Sequence, residues 1–135
     1  WQAALRKMGS RAWPDAANGA PRFPAGTDPG LLAWYADEMG DSNVEVLIRM
    51  SRIASSVDAR PYLARIKTPT LGLYPEHAPV TIQTQEETLR KDIANVKIVH
   101  VPSSHHTIQN ILPATLARQV LYFAAQHDGS SCAEA

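Results

Sequence analysis

The residues best suited to chemistry lie between Thr70 and Pro113, above all in the run Val99-His100-Val101-Pro102-Ser103-Ser104-His105-His106. Imidazole changes charge near neutrality, so a positioned histidine can take a proton from a hydroxyl and return it to a leaving group. Ser103 and Ser104 read as turn formers beside the histidines rather than as nucleophiles. No serine has the G-x-S-x-G setting of a nucleophile elbow. The rival chemistry is a metal site built from His77, His100, His105 and His106. Their spacings lack an i, i+4 pair or an H-x-H, and no carboxylate sits among the adjacent pair, so no metal is expected. No glycine motif that could cradle phosphate is present, which counts against a nucleotide cofactor; none is expected.

Two similar units must position these residues. Lys97-Ile98-Val99-His100-Val101 is a β-branched strand pattern stopped by Pro102, and Thr68-Pro69-Thr70-Leu71-Gly72-Leu73-Tyr74 reads as a buried strand ending at Pro75-Glu76-His77-Ala78-Pro79. Each is followed by a helical pattern, which predicts an α/β chain with parallel strands and helices packed on them. A histidine just past the C-terminal end of such a strand sits on a loop held by a rigid scaffold, where α/β enzymes keep reactive groups. His77 and His100 read as surface and strand-face residues.

The first 57 residues are helical in pattern. Trp1, Ala4, Leu5 and Met8 form a stripe ended by Gly9, and Ser10 to Gly26 reads as a loop carrying Trp13 and Phe23. Asp28-Pro29 opens a helix with Leu31, Leu32, Trp34, Tyr35 and Met39 on its apolar surface and Gly40 as a left-handed end. Ser42-Asn43-Val44-Glu45 has the form of a capping box for a helix with Leu47, Met50, Ile53 and Ala54 on one face. Asp58 to Lys67 is a short amphipathic connector, and Val80 through Ile93 a helix with Ile82, Leu89 and Ile93 inward. Pro113 opens the last helix, with Leu116, Val120, Leu121 and Phe123 facing the sheet. Gln126 to Ala135 reads as a polar, small-residue tail, with 128–135 disordered.

The stretches Asp58-Ala59-Arg60-Pro61-Tyr62-Leu63-Ala64-Arg65-Ile66-Lys67-Thr68-Pro69-Thr70-Leu71, Leu73-Tyr74-Pro75-Glu76-His77-Ala78-Pro79-Val80 and Val101-Pro102-Ser103-Ser104-His105-His106, with Pro113 seven residues on, resemble the C-terminal part of the α/β-hydrolase family. The resemblance implies a helical cap at 1–57 and the last two strands of the hydrolase core at 58–127. It implies a missing N-terminal half of the same hydrolase as partner, supplying six strands, the serine and the oxyanion donors. It also implies cofactor-free hydrolysis of a small organic substrate, at an ester, amide, lactone or carbon–carbon bond, by a Ser-His-acid triad.

In that reading His106 is the base, and a one-residue shift would make it His105, which stands where the family commonly has glycine. Trp34, Tyr35, Met39, Met50 and His105 are the candidate substrate contacts. The position of the orienting aspartate is Ala78, which accepts no hydrogen bond. The acid then lies after the sixth strand and outside this chain, or is Glu76, or is absent. The last case gives the alternative reading, a catalytically impaired, hydrolase-like ligand-binding protein.

Composition narrows the field further. Lys plus Arg and Asp plus Glu both number 13, with seven of each sign up to Arg60 and six of each beyond, so no basic footprint suggests nucleic acid or an anionic membrane surface. The single cysteine, Cys132, excludes an internal disulfide and fits a cytoplasmic setting. No apolar run has spanning length. Opening on Trp1 within a helical pattern, the chain reads as a piece of a longer polypeptide, inactive and marginally stable alone.

Overall fold

The computed structural model describes residues 2–17, 22–77 and 83–128, apart from the side chains of 12–17 and 83, and divides into two compact units, Trp1–Asp58 and Ala59–Ala135. The expectations for Trp1, the Trp13 side chain, Ala78, Val80, Ile82 and residues 129–135 fall outside the described residues.

The first unit holds α1 (Gln2–Ala17), α2 (Pro29–Gly40) and α3 (Val44–Ser56). Helix α1 replaces the loop expected from Ser10. Gly9 kinks it at φ 77° and ψ 168°, a conformation open to glycine, and the alanine-rich stretch beyond resumes the helix. Asp28 caps α2 as its sequence suggests, its Oδ1 accepting the Leu31 N–H at 2.9 Å with Pro29 in the first turn. Gly40 does not supply a left-handed end; it is the last helical residue, and Asp41 beyond it stays right-handed. Its role is proximity. A Cβ there would lie 2.7 Å from Arg11 Cγ and 3.3 Å from Arg11 Cα, and the Ser10 hydroxyl donates to the Gly40 carbonyl at 2.7 Å.

Helix α3 departs from the capping box. Its N-cap is Asn43 rather than Ser42, with Oδ1 accepting from the Glu45 and Val46 N–H groups at 3.0 and 3.2 Å. Glu45 is thereby released to pair with Arg6 at 2.9 Å, and this hydrogen bond holds its carboxyl below the ordinary range. The inward residue is Ile48, fully buried, with Leu5 and Phe23 completing the unit's core. Met50 and Ile53, expected inward, are more than half exposed, and Ala54 is exposed as well. The helix carries two apolar stripes at helical spacing, Val44-Leu47-Ile48 and Val46-Met50-Ile53-Val57, and the first is the more buried of the two.

The second unit runs α4 (Arg60–Leu63), β1 (Thr70–Pro75), α5 (Gln83–Asp92), β2 (Val96–Val101), α6 (Ile108–Ile111) and α7 (Pro113–Asp128). The strands are parallel, Thr70 opposite Val96 through Pro75 opposite Val101, as expected for an α/β chain. Thr70 N–H donates to Asn95 O at 2.9 Å and Glu76 N–H to Val101 O at 3.1 Å, so the even-numbered residues of β1 bond to β2. The N–H and C=O groups of Leu71 and Leu73 point to the opposite edge. Among the described residues no strand pairs with that edge.

Helix α5 packs on β2 and α7 on β1, and Ile93, Val101, Thr107 and Ile108 are buried. Val120 and Leu121, expected to face the sheet, are 50% and 60% exposed. The cause is geometric: strands lie about 4.8 Å apart and a helix is about 10 Å across, so two strands cannot cover an apolar helix flank. Gln126 to Asp128, read as tail, are helical. Among the described residues no helix is long and apolar enough to cross a membrane.

Candidate functional site

Proline ends β2 because Pro102 has no N–H to offer, and three backbone bonds then fix the turn beside the loop that follows β1. The Val101 carbonyl accepts from both Glu76 N–H, at 3.1 Å, and Ser103 N–H, at 2.7 Å, while His77 N–H donates to Ser103 O at 3.2 Å. Ser103 Oγ accepts the His105 N–H at 3.0 Å and donates to the His105 carbonyl at 3.3 Å. Thr107, fully buried, closes the turn; its carbonyl accepts the N–H groups of Asn110 and Ile111 at 3.0 and 3.2 Å and so starts α6.

The adjacent histidines differ between these fixed points. His105 is half-buried, its Nδ1 3.4 Å from Ser104 Oγ. His106 is exposed and lines a depression of about 480 Å³. The depression's other walls are Leu73, Tyr74 and Pro75 of β1, Gln85 of α5, Ile108 and Gln109 of α6, and Leu116 of α7. Apolar side chains, two amides, a phenol and one imidazole face it, and no carboxylate, lysine or arginine does so among the described residues. Such a surface suits a neutral organic molecule and offers a single group able to exchange a proton near neutrality.

The remaining expected site residues fall in both units. Glu76 is exposed, and among the described residues only its backbone N–H is hydrogen-bonded. No carboxylate in the described residues bonds to the His106 ring. In the first unit, Tyr35 stands edge-on to Phe23 and Trp34 at 5.2 and 6.4 Å between centroids, and its hydroxyl accepts from Arg22 at 3.4 Å. Trp34 is half exposed, Met39 half-buried and Met50 exposed on α3. No cluster of three or more His, Cys, Asp or Glu side chains able to hold a metal occurs among the described residues.

A charged contact that the sequence reading missed lies between α5 and β2. His100 Nε2 stands 3.1 and 3.0 Å from the two carboxylate oxygens of Glu86, whose partner one helical turn on is Arg90 at 4.0 Å. The Tyr74 ring, in register with His100 on β1, lies 6.4 Å from the imidazole at a 45° tilt. Burial, and secondarily the charge of Glu86, push the Tyr74 phenol above its ordinary value. A signal was present: Glu86, Leu89 and Ile93 share one helical stripe, and a carboxylate on an inward stripe needs a partner.

No family model and no curated protein matches this chain. The fold is similar to that of a hydrolase from Pseudomonas aeruginosa PA01. That match has a TM-score of 0.75 at 23% sequence identity and covers 90% of this chain and 47% of that one. The chain thus spans about half the length of the solved hydrolase, and at this identity the likeness is one of fold.

Proposed function

We propose that this chain is the C-terminal part of an α/β hydrolase that cleaves a small, neutral organic substrate by a serine–histidine mechanism, with His106 as the base. The reading rests on His106 lining a depression without charged neighbours among the described residues, just past the C-terminal end of a parallel strand. The fold likeness to a hydrolase supports it. In this mechanism His106 takes the proton of a serine hydroxyl carried by a preceding segment, and the serine oxygen attacks the substrate carbonyl carbon. Backbone N–H donors of that segment hold the oxyanion, and the imidazolium returns its proton to the leaving group. His106 then activates water to release the acyl group, and no cofactor is needed.

The partner in this reading is the N-terminal half of the same hydrolase. The Leu71–Leu73 edge of β1, unpaired among the described residues, and the exposed Val120 and Leu121 on α7 support a further parallel strand there, since such edges and apolar flanks are normally covered. The orienting acid belongs to that half, after its sixth strand. Glu76 is the second choice, because its exposed carboxylate has no other engagement among the described residues. His105, beside the base on the same turn, is a substrate contact in this reading.

The test is hydrolysis of p-nitrophenyl acetate by the full-length protein and its His106→Ala variant. Loss of about a thousandfold or more in kcat/KM is expected; an unchanged rate overturns the assignment. A second reading, a ligand-binding protein with impaired catalysis, draws on Ala78 standing where the resemblance would place the orienting aspartate. It predicts tight binding of small neutral esters without turnover.

A further inference from the structure

We infer that Gln85 and Gln109 read a neutral amide group of the substrate, so that the depression prefers an acyl chain carrying an amide beside the scissile carbonyl to a hydrocarbon chain of equal length. This preference rests on the hydrolase reading and gives it a substrate class. The two residues come from different elements, α5 and α6, yet both line the depression that His106 lines. Among the described residues neither carboxamide has a hydrogen-bond partner. Each therefore offers a carbonyl acceptor and two N–H donors to whatever enters.

The walls decide which chemistry can use those groups. Lysine, arginine and carboxylate are absent from the lining among the described residues, so a substrate carboxylate or ammonium would give up its water and find no counter-charge. Tyr74 does not supply one: burial, and then the charge of Glu86, push its phenol above the ordinary value, so it faces the depression as a neutral group. A hydrocarbon chain would fit Leu73, Ile108 and Leu116. In covering the depression, however, it would also strip water from two carboxamides and return no hydrogen bond.

A neutral amide meets all of these conditions. It brings no charge, and its alkyl ends can rest on the aliphatic walls. A secondary amide is trans, with N–H and C=O pointing opposite ways, so two separate carboxamides satisfy it where one could not. Sites that hydrogen-bond a polar group of the substrate reject an analogue lacking it more strongly than apolar walls reject a missing methylene. Both glutamines are exposed here, so each bond contributes a factor of only about five.

The experiment compares p-nitrophenyl N-acetylglycinate with p-nitrophenyl pentanoate, whose acyl chains have equal length, on the full-length protein. Each kcat/KM is divided by the hydroxide rate constant of the same ester, which removes the difference in intrinsic reactivity. A preference of about twentyfold for the N-acetylglycinate is expected. Gln85→Leu and Gln109→Leu should each lower it about fivefold, by raising KM rather than by lowering kcat. Equal treatment of the two esters by the wild type, or an unaltered preference in either variant, overturns the carboxamide role. A binding arm stands apart from turnover: N-acetylglycinamide titrated into the full-length protein should shift the side-chain N–H resonances of both Gln85 and Gln109. Shifts in neither overturn the role even where the esters are cleaved. Shifts in both without ester cleavage support amide recognition and sink the serine–histidine mechanism instead, so the two failures are told apart.

Discussion

His100 and His106 occupy two neighbouring regions at the end of one strand, and each has what the other lacks. His100 has a carboxylate 3.0 Å from its Nε2 but lies under α5 on the sheet face. His106 lines a depression of about 480 Å³ but has no bonded carboxylate among the described residues. The difference comes from backbone period. Alternation along β2 commits His100 to the face of Ile98 and Tyr74, whereas His106 lies past Pro102, where a turn rather than the strand sets its direction. A carboxylate paired with a strand histidine serves to attach a helix. In the proposed reading a base that reaches substrate needs the loop, and its acid comes from the preceding half.

The sharpest way to break this contrast is the His106→Ala exchange, for which the proposed function expects a loss of about a thousandfold in ester hydrolysis by the full-length protein. Next comes Val101, buried where the two regions meet. Val101→Ala should cost about 2 kcal/mol, seen as a lower denaturation midpoint, because it removes two buried methyl groups and leaves a cavity. Gly72→Ala tests the His100 side alone. The added methyl would lie 3.0 Å from the Tyr74 ring and 3.3 Å from Ile98 Cγ1, so a loss of about 1 kcal/mol is expected, with shifted ring-proton resonances for His100 and unshifted ones for His106.

The smallest effect concerns the exposed counterpart of the Glu86 pair. Because Arg6 depresses the Glu45 carboxyl below its ordinary 4.5, that pair contributes stability above this value and loses it as pH falls through the lowered one. Glu45→Gln should make the fall of melting temperature between pH 5 and 3 slightly shallower. A steeper fall would show that Glu45 is protonated more readily in the folded protein than in the unfolded chain.

Much of the second unit was legible in the residues. β-Branched runs bounded by Pro75 and Pro102 marked the strands, and Pro113 marked the start of α7, because proline restricts the backbone wherever it stands. Gly40 was misread, since a glycine near a helix end looks the same whether it turns the chain or lets another helix approach. The inward face of α3 was misread because two apolar stripes compete along it and only a tertiary neighbour decides between them. The turn that carries His106 was legible, because two prolines and small residues mark it locally. The contact of Glu86 with His100 was not, since the two stand fourteen residues apart on different elements and meet only through packing.

Pro75 limits what can grow along the outer edge of β1. Leu71 and Leu73 each present an amide donor, and Pro75 presents none, so a chain laid there loses its rungs before reaching the turn. Fibrils seeded from this edge would therefore stop short of the imidazole, and diethyl pyrocarbonate should modify His106 in aggregated material about as readily as in dispersed protein.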